Sequence, residues 1–215
     1  MAYSNANLKV NVDNIPGALK KYNQWIGWLF EKNAQGQKTK VPKHIVKGYN
    51  ASIKKPQDWV AFETCLKYMH NFAGIGFVTN KDDPFVIWDL DGCRNIDTGV
   101  INEQAMKIID KLNSYTEISP SGKGIRIIVK GTIGVFGRRN RTAKIEAYDS
   151  CQYLTITGHH LRGTPKTIKK RNKIGFKLHK EVFSKQVRNI CKNKKNEAHL
   201  LHKDMEVPIL FSSES

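Results

Sequence analysis

The sequence predicts an α+β fold built on a mixed or antiparallel sheet. Strand-like runs outnumber helical ones, two amphipathic helices divide the strands into groups, and no internal repeat is present. Pro16 to Tyr22 reads as a short helix with Asp13 or Asn14 as its cap. Gln24 to Phe30 and Lys40 to Val46 read as strands around a polar turn at Asn33 to Gln37. The run from Pro56 to Met69 reads as a helix with Trp59, Phe62, Leu66 and Met69 on one face. Strands follow at Gly74 to Thr79 and Phe85 to Leu90. The second amphipathic helix spans Ile101 to Leu112, with Ile101, Ala105, Ile108, Ile109 and Leu112 at helical spacing. Four further strands read at Tyr115 to Ser119, Ile125 to Val129, Lys144 to Tyr148 and Tyr153 to Thr157.

Charge narrows the partners. The 215 residues carry a formal net charge of +17, which points to a polyanion, most simply nucleic acid. From Arg162 to Lys203 there are 14 Lys or Arg against two Glu, so this stretch holds most of the excess. The shift sets an expected boundary near Pro165, with a main domain over 1–165 and a basic helical extension or linker over 166–215. Phe176, Leu178, Val182, Phe183, Val187 and Ile190 give that extension an amphipathic helical spacing, and a solvated linker is the other reading. No signal-peptide core and no run long enough to cross a membrane is visible. Cys65, Cys93, Cys151 and Cys191 are scattered without paired spacing and read as reduced thiols of a cytoplasmic protein. His160 and His179 read as surface residues.

Four runs carry chemistry. In Val86-Ile87-Trp88-Asp89-Leu90-Asp91-Gly92 an apolar strand ends in two carboxylates. Strand alternation puts Asp89 and Asp91 on one face, where they repel unless a hard cation such as Mg²⁺ or Mn²⁺ joins them. A turn or helix cap explains the same pattern about as well. Ser119-Pro120-Ser121-Gly122-Lys123-Gly124-Ile125-Arg126 is a Ser- and Gly-rich turn between strands, suited to an anion through backbone N–H groups, hydroxyls and the Lys123 and Arg126 charges. An ordinary hairpin with a solvated lysine fits it equally. Lys144-Ile145-Glu146-Ala147-Tyr148 sets one carboxylate among apolar residues, either inward and paired or on a solvent-facing edge. The fourth run is Thr155-Ile156-Thr157-Gly158-His159. Arg138, Arg139 and Arg141 form a basic loop before Glu146, which suits template or triphosphate contact or simple solvation.

In this order the four runs resemble the archaeo-eukaryotic primase superfamily, in its primase–polymerase branch of phages, plasmids and mobile elements. That family carries a strand-borne Asp-x-Asp, a Ser-x-Ser-Gly-x-Gly-x-His hairpin, a strand with a third acidic residue and often a Thr-x-Thr-Gly run. Tyr22 to Trp28 and Lys40-Val41-Pro42 look like its N-terminal half, and the likeness covers roughly residues 15 to 165. It implies an archaeo-eukaryotic primase-like fold, with an RRM-like catalytic sheet packed on an N-terminal αβ half. It implies a DNA primase or polymerase that transfers nucleotides by a two-metal mechanism. Asp89, Asp91 and Glu146 would be its catalytic, Mg²⁺- or Mn²⁺-binding residues. Ser119, Ser121, Gly122, Lys123, Gly124, Arg126, Thr157, Gly158, His159 and Lys40 would bind nucleotide. Arg138, Arg139, Arg141, Lys169, Lys170 and Arg171 would contact DNA. The implied partners are a single-stranded DNA template, nucleoside triphosphates and a replicative helicase on another chain or domain. One departure matters: Arg126 stands where the family has histidine, so a catalytically weakened module that binds without efficient turnover is the alternative. A metal-dependent nuclease could use the same carboxylates without needing the hairpin.

Overall fold

The computed structural model describes residues 9–135 and 137–184. Two sheets share its core. The first has the order β2 (Lys38–Lys43), β1 (Trp25–Lys32), β3 (Gly74–Thr79), β9 (Gln152–Ile156). The second runs β10 (Lys169–Lys170), β6 (Ile125–Lys130), β4 (Phe85–Leu90), β8 (Ile145–Tyr148), β7 (Arg139–Asn140), and β5 (Tyr115–Ile118) also pairs with β6. Every pairing among the described residues is antiparallel except β10 with β6. The expected α+β class with mixed sheet is what the chain forms.

The second sheet lies between the first sheet and a helical layer, and alternation sorts its side chains accordingly. Phe85, Ile87, Tyr115, Ile128 and Tyr148 join Trp25, Ile75, Phe77, Leu154 and Ile156 of the first sheet in one core. Ring edges lock it, with Phe77 5.3 Å from Trp25 and 5.8 Å from Phe85 between centroids. From the opposite face Val86, Trp88, Leu90, Ile125, Ile127, Val129, Ile145 and Ala147 pack on α3 (Glu103–Leu112) and on α4, a helix over 172–184.

Local chemistry sets α3. Asn102 caps it by accepting the Ala105 N–H at 2.9 Å, and the left-handed Asn113 ends it. Arg171 then donates to the terminal carbonyls of Leu112 (2.6 Å) and Asn113 (2.8 Å), which have no helical partner of their own. The helix starts at Glu103 because Ile101 is taken by a β-bridge with Arg94.

Three expectations give way to tertiary contacts. The single helix over Pro56 to Met69 is split into a 3-10 turn at Pro56–Asp58, α2 (Phe62–Tyr68) and a second 3-10 turn at Met69–Asn71. Between them Val60 exchanges both backbone hydrogen bonds with Trp25, and Asp58 accepts from Tyr49 Oη and the Ser52 N–H. The first helix is only α1 (Gly17–Lys20); Asp13 and Asn14 lie in a preceding 3-10 turn and cap nothing. His179 is no surface residue: it is fully buried beside Trp88 and Phe183, and desolvation lowers its pKa.

The part of the basic extension within the described residues belongs to this same body. β10 continues the second sheet, and Leu178 and Phe183 of α4 are buried in its core, whereas Phe176 is exposed. Val187 and Ile190 lie outside the described residues. Cys65, Cys93 and Cys151 are free thiols, and no described helix is long and apolar enough to cross a membrane.

Candidate active site

One row of charged side chains crosses the second sheet. Directly opposed residues are Glu117 and Arg126 on β5 and β6, Arg126 and Asp89 on β6 and β4, Asp89 and Glu146 on β4 and β8, and Glu146 and Arg139 on β8 and β7. Opposed residues of an antiparallel pair share a face, so five charges stand side by side. The row continues the face that, further along the same strands, forms the apolar core between the sheets.

A cleft of about 160 Å³ opens over it, lined by Asp89, Arg126, Glu146 and Tyr148 from one sheet and Lys40, Tyr153 and Thr155 from the other. Arg126 is only 6% exposed. Its NH1 donates to the Thr155 carbonyl at 2.5 Å and also to the Thr155 hydroxyl. Its Nε lies 3.2 Å from Asp89 Oδ1 and its NH2 3.4 Å from Oδ2. The Nε contact is an ion pair without hydrogen-bond geometry, which leaves Asp89 Oδ1 buried and without a hydrogen bond. Glu146 takes the Tyr148 hydroxyl at 2.6 Å and pairs with Arg139 Nε at 3.2 Å; Arg139 also donates to the Tyr148 oxygen at 2.5 Å.

Asp91 lies beyond the end of β4, is exposed and lines a separate cleft with Leu90, Cys93, Asn102 and Lys144, so the structure does not bring it into the cleft of Asp89. Its pKa is raised, first by partial desolvation and then by the charge of Asp89, with Glu146 adding to it. On Lys40, burial and the neighbouring Arg126 charge lower the pKa against the pull of Asp89 and Asp91. These shifts put Lys40, Arg126 and the three carboxylates in one electrostatic neighbourhood. Among the described residues, however, no three His, Cys, Asp or Glu side chains are gathered as a ready cation cage. The donor set still suits a hard cation: all donors are carboxylate oxygens, and Oδ1 of Asp89 is buried without a hydrogen bond.

The Ser119–Gly124 turn closes against the end of β4. A Cβ on Gly124 would stand 3.0 Å from the Leu90 carbonyl, so glycine permits the approach. The serines serve the turn itself: Ser119 Oγ accepts the Gly124 N–H, Ser121 Oγ accepts the Lys123 N–H, and the Gly122 N–H goes to the Ser119 carbonyl. Of the turn's side chains Ser121 and Lys123 are exposed, while Ser119 is buried. Arg94 braces the turn from the loop after Asp91, its N–H on the Lys123 carbonyl at 3.0 Å and its guanidinium on that of Gly122 at 2.8 Å.

Thr157, Gly158 and His159 stand at the end of β9 and do not line the cleft. The Thr157 and Gly158 N–H groups donate to the two oxygens of Glu117 at 3.0 and 2.9 Å, and the Thr157 hydroxyl donates to the Ile118 carbonyl. A side chain at Gly158 (φ +67°) would collide with the Asn11 carbonyl. The His159 ring contacts the Lys9 carbonyl at 2.6 Å.

Glu117 is the residue that sequence reasoning missed. It is fully buried, takes the Tyr115 hydroxyl at 2.9 Å besides the two N–H groups, and desolvation raises its pKa. Its signal was its alternation with Tyr115 and Thr116, two residues before Ser119. Tyr148 and Arg94 were missed as well.

The expected DNA contacts fare differently. Arg138 pairs with Asp149 at 2.7 Å, Arg139 with Glu146, and Arg171 with the end of α3. Arg141, Lys169 and Lys170 are exposed and make no ion pair with a described residue. Lys169 and Lys170 pair with Val129 and Lys130, at the far end of β6 from Arg126.

No family model matches the chain. Over 152 residues the chain is 34% identical to a protein of Nitratiruptor phage NrS-1 named DNA primase-polymerase. The match takes in 68% of this chain and 20% of the phage protein, so the chain spans about a fifth of the length of that curated relative. Over this matched part, the chain is a relative of a phage DNA primase-polymerase.

Proposed function

We propose that this chain is a primase–polymerase catalytic domain of a phage, plasmid or other mobile element, performing template-directed, divalent-metal-dependent nucleotidyl transfer. The observation that carries the reading is the cross-strand row, which sets Asp89 beside Glu146 in a cleft that also holds Lys40 and Arg126. The likeness to the phage protein supports it. The second sheet is then the RRM-like catalytic sheet and the first sheet part of the N-terminal αβ half, in an archaeo-eukaryotic primase-like fold.

Asp89, Asp91 and Glu146 would hold Mg²⁺ or Mn²⁺. Such ions, when bound, would supply charge neutralisation at the attacking hydroxyl and at the pyrophosphate leaving group. The chain's own groups do the rest. Lys40 and Arg126 face the triphosphate from opposite sheets and offset its charge, Arg126 with two donors. Ser121 and Lys123 meet its outer end, and Arg94 keeps their turn in place against β4. Glu117 fixes Thr157 and Gly158, and through them the end of β9 that anchors Arg126 at Thr155. Arg141, with Lys169 and Lys170 on a separate surface, contacts the single-stranded template through phosphates. A replicative helicase on another chain or domain completes the assembly.

The test is incorporation of a labelled nucleotide on primed and unprimed templates with Mg²⁺ or Mn²⁺. Wild-type protein extends the label and Asp89→Asn does not. Shortening of the template without incorporation would instead identify a nuclease. The contact of Arg126 with Asp89 favours a second reading, a module that binds nucleotide without efficient turnover. It predicts nucleotide-dependent stabilisation with no incorporation.

A further inference from the structure

The carboxylate row carries its own cations. Asp89 faces the Arg126 guanidinium, and Glu146 faces that of Arg139. We infer that Arg126 and Arg139 are resident counter-ions that hold the carboxylates apart and must release them before a divalent cation is bound. The nucleotide triphosphate is the partner that takes the guanidiniums over. This rests on the reading of Asp89, Asp91 and Glu146 as metal ligands.

Three features support a release. Arg126 is anchored elsewhere as well: its NH1 is fixed on the Thr155 carbonyl and hydroxyl, while its hold on Asp89 is one long NH2 hydrogen bond of 3.4 Å and an Nε ion pair without hydrogen-bond geometry. The guanidinium can therefore leave Asp89 without leaving β9. Arg139 is the looser of the two, with a side chain 54% exposed. Its contact with Glu146 is shared through the Tyr148 hydroxyl, which donates to Glu146 and accepts from Arg139. With both guanidiniums gone, Tyr148 still holds one Glu146 oxygen and frees the other.

The charges argue the same way. Two guanidiniums balance Asp89 and Glu146 in the row. A divalent ion placed on Asp89 beside Arg126 meets a like charge at close range, where the interaction is strong even at an effective dielectric near 20. A triphosphate removes that repulsion, because its oxygens accept from guanidinium groups as carboxylates do. Glu117, opposed to Arg126 on its other side, stays beside the guanidinium in either position.

Mn²⁺ titration by calorimetry and by electron paramagnetic resonance, with no nucleotide present, reads the competition directly. Arg126→Gln should bind Mn²⁺ roughly tenfold or more tightly than wild type, because a like charge has been removed. Arg126→Lys, which keeps the charge, should stay near wild type. Arg139→Gln, at an exposed position, should tighten binding by about threefold and carries the test if a thermal melt shows Arg126→Gln unfolded. Adding Asp89→Asn to any of them should weaken binding. If Mn²⁺ binding depends on Asp89 but neither glutamine variant tightens it, the resident counter-ions are disproved while the metal site stands. If binding ignores Asp89→Asn throughout, the metal-site reading falls, and this inference with it.

Discussion

The two faces of the second sheet differ in kind. The face toward α3 and α4 is aliphatic or aromatic from end to end, with Val86, Trp88, Leu90, Ile125, Ile127 and Val129 all buried. The face toward the first sheet is apolar only where Phe85, Ile87 and Ile128 lie. One step further along the strands it turns into Glu117, Arg126, Asp89, Glu146 and Arg139. One face therefore carries stability alone. The other is apolar at one end and charged at the other, so neighbouring residues along the strand have different surroundings.

The sharpest way to break that comparison is to change neighbours on β4. Trp88→Ala should cost about 3–5 kcal/mol of stability, the range for a buried aromatic, read by denaturant melting. Asp89→Asn keeps the shape but not the charge beside Arg126, and should cost less stability than Trp88→Ala yet lower nucleotide incorporation by roughly a hundredfold or more. Comparable melts for both variants would erase the distinction between the faces.

Glu117 tests whether the charged row also holds structure. Glu117→Ala strands the Thr157 and Gly158 N–H groups and leaves buried Arg126 short of one counter-charge, at about 3–5 kcal/mol, the range for a buried pair that loses one member. Glu117→Gln keeps one acceptor and should lose less. A melt unchanged in Glu117→Ala would show that its bonds hold nothing.

A pH profile sharpens the metal end of the row. The raised pKa of Asp91 means the folded state holds its proton more tightly than the unfolded chain. Its contribution is fully present below the ordinary carboxylate range near 4 and is lost as pH rises through the raised folded value. The difference in melting temperature between wild type and Asp91→Asn should grow in that direction without metal, and Mn²⁺ should shrink it. A difference independent of pH would remove Asp91 from the row's electrostatics.

Much of this was legible in the chain. The strands Gly74–Thr79 and Phe85–Leu90 form over the residues expected, because both are short apolar runs buried on two faces and bounded by turn residues. Period-two alternation also sets Asp89 and Glu146 on the strand face that lines the cleft, whereas Asp91 falls beyond the strand and outside it. The register between strands was not legible, because it is set by tertiary packing. The pairing of Arg126 with Asp89, and the role of Glu117, became visible only once β5, β6, β4 and β8 were aligned. The helix over Pro56 to Met69 failed at Trp59 and Val60, where pairing with Trp25 overrode a helical spacing. Charge composition does not show that Arg171, counted toward a DNA surface, also donates to the last carbonyls of α3.

That last point yields the smallest effects. Arg171→Ala should cost about 1–2 kcal/mol through its lost carbonyl contacts and leave binding of single-stranded DNA unchanged. Lys169→Ala and Lys170→Ala should leave the melt unchanged and each reduce the log–log salt slope of that binding by roughly 0.7. The reverse pattern would exchange their roles.

The central claim, that the charged row is where the reaction is organised, is tested most directly by anomalous diffraction from crystals soaked with Mn²⁺ and a nucleoside triphosphate. The account predicts manganese density on the carboxylates of Asp89, Asp91 and Glu146, with the Arg126 guanidinium turned from Asp89 to a phosphate. Manganese bound only elsewhere, with Arg126 still on Asp89, would contradict it.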